Sequence, residues 1–258
     1  MKYTNSSLVS YTQISPNRTS PRNHAIDTIT IHCMAGNCTV EQCGNIFAPS
    51  SRRASSNYGI GSDGRIALYC PESDRSWCTS SASNDNRAVT IEVANDGGAD
   101  TGWHVSDKAF AALIELVADI CTRNGIKKLL WRGDKSLVGQ IDKQNMTVHR
   151  WFAAKACPGD YLYNLHGEIA AEVNRRINFK FERSSVYKVQ VGLFAIRTNA
   201  VNYSKRLRAA GFDNYLETVN GKTAVYSGVY SKRENAEARK KALAAKGFDS
   251  VITEVSKL

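Results

Sequence analysis

The chain has 258 residues, of which 42% are hydrophobic and 22% charged, and a formal net charge of +10. These proportions suit a globular protein long enough for one large domain or two smaller ones. No run of about 18 apolar residues occurs, which excludes a transmembrane helix, and no membrane insertion is expected. The start, Met1-Lys2-Tyr3-Thr4-Asn5-Ser6-Ser7, lacks the apolar core of a signal peptide, which predicts synthesis in the cytoplasm and another route of exit.

Seven cysteines, an odd number without a signal peptide, favour reduced thiols over a disulfide framework. The charge is uneven. Residues 186–258 hold thirteen Lys/Arg and six Asp/Glu, whereas residues 1–177 hold nineteen and seventeen. A basic tail suits a polyanion, but it equally suits solvated helices.

In chain order, residues up to Arg22 are polar, carry Pro16 and Pro21, and read as an irregular arm. Asp27 to Cys33 alternates, with Ile29 and Ile31 on one face and Thr28, Thr30 and His32 on the other, as in a half-buried strand. Thr39 and Gln42 form a capping box for a helix with Val40, Cys43 and Phe47 inward. Residues 57–69 make a hairpin turning at Asp63-Gly64. Ala88 to Ala94 alternates again, placing Thr90 and Glu92 outward. Asp107 to Asn124 is a helix capped by Ser106 and closed by Gly125. After Pro158, Leu162, Leu165, Ile169, Val173 and Ile177 form the stripe of another helix. Strands interleaved with helices predict an α/β domain over 1–177.

Residues 178–185 read as a short polar linker. Beyond it, 186–258 repeats itself at an offset of 36 residues: Val189, Gly192, Ala200, Leu207 and Gly211-Phe212-Asp213 match Val225, Gly228, Ala236, Leu243 and Gly247-Phe248-Asp249. Each copy reads strand, helix, turn, strand. The pair predicts a small α+β ferredoxin-like βαββαβ domain.

The chemistry concentrates in Thr147-Val148-His149-Arg150-Trp151-Phe152-Ala153-Ala154-Lys155-Ala156-Cys157-Pro158-Gly159. Imidazole and thiolate are donors that Zn²⁺ prefers, so His149 and Cys157 are ligand candidates and His32 is the best third. Three protein ligands and one open position characterise a catalytic zinc, which activates water and polarises a carbonyl. Glu92 shares its strand's outward face with Thr90, as His32 does with Thr28 and Thr30, so both can reach one cleft. Glu92 then suits a general base and Lys155 an oxyanion partner. His24, His104 and His166 have no matching partners and read as surface residues.

Residues 24–177 resemble the type-2 N-acetylmuramoyl-L-alanine amidases, which share their fold with peptidoglycan recognition proteins. The resemblance lies in Thr30-Ile31-His32, in 57–66, in Val89-Thr90-Ile91-Glu92-Val93 and in 149–159. It implies a central mixed sheet flanked by helices, zinc on His32, His149 and Cys157, and catalytic roles for Lys155, Glu92 and Tyr58. The implied substrate is the amide between N-acetylmuramic acid and L-alanine in peptidoglycan. With no signal peptide, the implied setting is a phage endolysin. The alternative is a non-catalytic peptidoglycan-binding protein on the same fold.

The tail resembles a SPOR domain through Val189-Gln190-Val191-Gly192-Leu193-Phe194 and the two Gly-Phe-Asp turns. That resemblance implies glycan-strand binding, and Gln190 and its repeat equivalent Tyr226 are the expected contacts on an open sheet face. A nucleic-acid partner is not expected, because the stacking aromatics of an RNA-recognition motif are missing. The sequence leaves the oligomeric state open.

Overall fold

The computed structural model describes residues 3–256, and for 178–185 and 256 the backbone only. The chain divides into two compact units, Met1–Ile177 and Asn178–Leu258.

In the first unit the elements are β1 (Tyr11–Thr12), β2 (Arg18–Thr19), β3 (Thr28–Cys33), α1 (Val40–Phe47), β4 (Tyr58–Ile60), β5 (Ile66–Leu68), β6 (Arg75–Ser76), α2 (Ala82–Arg87), β7 (Ala88–Val93), α3 (Asp107–Arg123) and β8 (Met146–Thr147). The arm is therefore not wholly irregular: β1 runs parallel to β5, and β2 pairs with β6. The six-stranded sheet has the order β1-β5-β4-β7-β3-β8, with only β4–β5 antiparallel. The expected capping box at Thr39 and Gln42 starts α1, and Ser106 caps α3 by accepting from the Ala109 amide.

Helix α4 spans Gly159–Ser184, and β9 (Ser185–Phe194) follows directly. Residues 178–185, expected as a linker, thus continue the helix and open the next strand. Their polarity suggested a linker, but nothing in 178–184 prevents helical geometry, since there is neither Pro nor Gly.

One sheet face carries Ile29, Ile31, Val89 and Ile91 against Leu113, Ile114, Val117, Ile169 and Val173 of α3 and α4. The opposite face was expected to be half open, yet every residue of β3 is buried. A polar network covers it. Asn84 Nδ2 donates to Thr30 Oγ1 at 3.1 Å, the Thr30 and Thr147 hydroxyls lie 2.7 Å apart, and Thr147 Oγ1 donates to Asn84 Oδ1 at 3.0 Å. Threonine and asparagine can be buried here because their hydrogen bonds are made within the layer. At one end, α1 closes the same face with Val40, Cys43 and Phe47 against Met34, Ala67 and Tyr69.

The second unit adds α5 (Arg197–Ala209), β10 (Tyr215–Val219), β11 (Lys222–Tyr230), α6 (Arg233–Ala244) and β12 (Val251–Ser256). Its sheet is fully antiparallel, in the order β10-β11-β9-β12, which is the ferredoxin-like arrangement. Val189, Val191 and Val225 meet Ala200, Leu207, Ala236 and Leu243 in its core. The 36-residue repeat extends to the hydrogen bonds: Phe212 N donates to Leu207 O and Phe248 N to Leu243 O. Gly211 and Gly247, at φ +88° and +77°, supply the left-handed turn that each of these helix ends requires.

Candidate metal centre

The parallel ladder places His32 opposite Glu92 and Thr30 opposite Thr147. Two residues after β8, a helical turn at His149–Trp151 brings the second imidazole beside the first, with ring centroids 5.1 Å apart. Cys157 returns to the same point: its Sγ lies 3.3 Å from His32 Nδ1 and accepts from the Cys33 amide at 3.4 Å.

Arg150 fixes this return. Its amide donates to Cys157 O at 3.1 Å, Nη2 donates to Ala156 O at 2.5 Å, and the guanidinium also reaches Asp160 at 3.1 Å. Gly159 packs so closely on Trp103 that a Cβ there would lie 2.5 Å from that side chain, and its φ is +77°. Both conditions demand glycine. Neither Arg150 nor Cys33 was expected at the site: Cys33 contributes its backbone amide, and the Arg150 guanidinium acts mainly on a backbone carbonyl.

The expected ligand atoms of His32, His149 and Cys157 lie within 4.8 Å of one another. His32 is fully buried, yet among the described residues its Nε2 has no hydrogen-bond partner, and neither does His149 Nε2. Buried polar atoms are ordinarily paired, so two orphaned imidazole nitrogens in one cleft call for a missing partner. Burial, reinforced by His149, pulls His32 down to about 3, and burial and Lys155 lower His149. Both rings are therefore neutral donors. Hydrogen bonding with Cys33, together with burial and Glu92, pushes the Cys157 thiol up. Two neutral imidazoles and a thiol that ionises only with a cationic partner fit a divalent, borderline-soft cation such as zinc.

Glu92 lies on the same face, with Oε1 3.9 Å from His32 Nδ1 and 4.0 Å from Cys78 Sγ, and Oε2 unpaired among the described residues. Burial pushes its carboxyl up to about 8, with Arg52 acting in the opposite sense. Lys155 is exposed at the mouth of the cleft, which it lines together with Glu92, His149 and Cys157. Cys78, beside Glu92, is a further thiol that sequence spacing did not single out.

Tyr58 is not in the cleft, and the expectation for it is corrected. It pairs with Ile91, whereas Gly59 is the neighbour of Glu92, so its side chain points to the other face of the sheet. There it is fully buried, donating to Glu72 Oε1 at 2.6 Å and accepting from the Ser6 amide at 2.9 Å. His166 is also corrected. It is fully buried against Trp131 rather than at the surface, with Nδ1 bonded to Leu162 O at 2.6 Å. His24 and His104 are exposed as expected, their side chains at 43% and 49%.

In the second unit, Gln190 is half-buried and pairs with Tyr226 across β9 and β11. Tyr226 is 6% exposed, not open. Tyr215 stacks on its ring with centroids 5.4 Å apart, and Lys188 Nζ lies 5.0 Å from its centroid. Neighbouring strands thus cover the ring that alternation alone would leave bare.

Residues 22–160 match the sequence model of a family described as N-acetylmuramoyl-L-alanine amidase, and residues 184–254 match that of the SPOR domain. A comparison with curated proteins gives no match. Among solved structures, the peptidoglycan binding domain of the B. subtilis cell wall lytic enzyme CwlC is 32% identical. It covers 28% of this chain and 92% of its own, with a TM-score of 0.27. A selenomethionine derivative of AmpD is 16% identical, covering 66% of this chain and 99% of its own, with a TM-score of 0.47. The endolysin N-acetylmuramoyl-L-alanine amidase LysCS from Clostridium intestinale is 19% identical over 64% of this chain and 93% of its own, with a TM-score of 0.42.

Proposed function

The chain belongs to the N-acetylmuramoyl-L-alanine amidase family, and from that premise we propose that it is a zinc-dependent hydrolase. Its substrate is the amide joining N-acetylmuramic acid to L-alanine in peptidoglycan. The observation that carries the zinc is the cluster of His32, His149 and Cys157 with two orphaned buried nitrogens. Zinc, when bound, supplies the Lewis acidity that activates water and polarises the scissile carbonyl.

The chain's own residues do the rest. Glu92 opens on the cleft beside His32; a divalent cation held there would favour its ionised form against the burial that raises it, and the carboxylate then takes a proton from the attacking water. It returns that proton to the alanine nitrogen as the C–N bond breaks, leaving a carboxylic acid and an amine. Lys155, which makes no ion pair among the described residues, offers its ammonium to the oxygen that gains charge in the tetrahedral state.

The SPOR domain adds a second hold on the wall, and Gln190 is its proposed glycan contact. Tyr226 supports that face from within the sheet. Lysis of a host cell by a phage endolysin is the setting we propose for the enzyme.

Purified protein stripped of metal should stop releasing L-alanine amino termini from peptidoglycan, and stoichiometric zinc should restore release. Full activity in metal-free protein would remove the reading. The endolysin setting is tested by expressing the chain with and without a membrane-permeabilising holin, lysis requiring both.

A further inference from the structure

Cys78 stands beside Glu92 without a part in the chemistry above, and its place is fixed from two sides. The hydroxyls of Ser76 and Thr90 lie 2.7 Å apart. Two residues further along each segment come Cys78 and Glu92, with Sγ and Oε1 4.0 Å apart. The Cys78 amide donates to the buried Asp85 carboxylate at 2.9 Å, which holds the thiol at this point.

His32, Cys78 and Glu92 each offer a ligand atom, and these atoms lie within 4.8 Å of one another. The set shares His32 with the candidate zinc ligands but draws its other two donors from different segments. The cleft therefore holds a second donor set beside the first. Two buried atoms in it, Glu92 Oε2 and His32 Nε2, have no partner among the described residues. Imidazole, thiolate and carboxylate together suit a borderline-soft divalent cation such as zinc or cadmium. They are a poor set for magnesium or calcium, which take oxygen donors.

We propose that His32, Cys78 and Glu92 form a second, inhibitory position for such a cation, filled in addition to the first when metal is in excess. This rests on the amidase reading above, because it acts on the base of that reaction. A carboxylate bound to a cation is a far weaker base, so filling the second position stops proton transfer while the first ion stays in place. The two positions draw on one imidazole, which has two ring nitrogens. Two close cations repel, so the second binds more weakly than the first, and a titration separates the two steps.

The test uses the full-length protein, reduced, stripped of metal and reloaded with zinc. Turnover of a soluble muropeptide should rise to one equivalent of zinc. It should then fall by about 10²-fold as a second equivalent binds, the scale of one lost acid–base group. Cadmium added to the one-zinc enzyme should bind at one ion per chain with the zinc retained, and should bring the ultraviolet absorption of a sulfur-to-cadmium bond. In Cys78→Ser both the second ion and that absorption should be lost, and turnover at excess zinc should match turnover at one equivalent. Cys78→Ala should behave in the same way. A one-zinc wild type that takes up no cadmium, or that releases its zinc to it, overturns the second position without recourse to a variant. So does a second ion, or inhibition by excess zinc, that persists in Cys78→Ser. Absence of turnover at every zinc ratio overturns the amidase reading and the inhibition with it, while the cadmium count and its absorption decide separately whether the second position exists.

Discussion

His32 and Glu92 are register partners on adjacent parallel strands, and their side chains leave the sheet on one face with Nδ1 and Oε1 3.9 Å apart. A ladder position is among the most rigid places a fold offers, since the hydrogen bonds of both strands hold the Cα atoms. The proposed ligand His32 and the proposed base Glu92 are therefore held by the sheet, while His149 and Cys157 arrive on turns. This division of labour predicts different failures. Glu92→Gln should keep about one zinc per chain and lose about 10²-fold or more in turnover. His149→Ala should lose the metal, read by elemental analysis. Metal loss in Glu92→Gln would make Glu92 a ligand rather than a base.

Tyr58 supplies the converse case. Its hydroxyl links the Ser6 amide to Glu72, whose carboxylate also pairs with Arg123 at 2.6 Å. Tyr58→Phe leaves these buried groups short of a partner and should cost about 1–3 kcal/mol in denaturant unfolding. Turnover of the folded variant should stay within about twofold of wild type. A large loss of kcat with stability intact would return Tyr58 to the chemistry.

These two residues also mark what the sequence makes legible. That His32, His149 and Cys157 cluster and that Glu92 stands beside His32 could be anticipated from residue type, order, strand alternation and the family resemblance together. Tyr58 could not be placed, because a hairpin's face depends on its register against β7, and one residue of slip exchanges Tyr58 for Gly59. His166 was misjudged although a signal existed: it stands four residues after Leu162 and three before Ile169, on the buried stripe of α4. The polar face of β3 was expected to be open because threonine was taken as a solvent residue, while Asn84 from α2 closes the network above it.

His166 makes a pH prediction. Burial holds it down to about 4, against an ordinary 6.5. As pH falls, the unfolded chain takes the proton first, so the stability that depends on neutral His166 is full above about 6.5. It is lost progressively as pH falls from there to about 4, a change on the order of 3 kcal/mol. His166→Leu should flatten that part of the stability profile in thermal melts from pH 7 to 4. An unchanged profile would mean that other groups carry the acid sensitivity.

The tail gives the last prediction. Residues 1–177 have their own core, which reaches Ile177 at 0% exposure, so a chain ending there keeps every apolar anchor of the catalytic unit. Such a truncation should cleave soluble muropeptides at about the full-length rate yet clear intact walls more slowly, since tethering changes local substrate concentration and not chemistry. The SPOR domain's excess of Lys/Arg would add a salt-sensitive attraction to anionic wall polymers, and Gln190 on the sheet a salt-insensitive one. Wall sedimentation of the full-length protein should therefore fall with salt to a plateau above that of the truncated chain. Gln190→Ala should lower the plateau. Tyr226→Ala, by opening a covered stack against Tyr215, should lower it and also destabilise the domain. Binding that falls to the truncated level at high salt would leave electrostatics as the whole of the attraction.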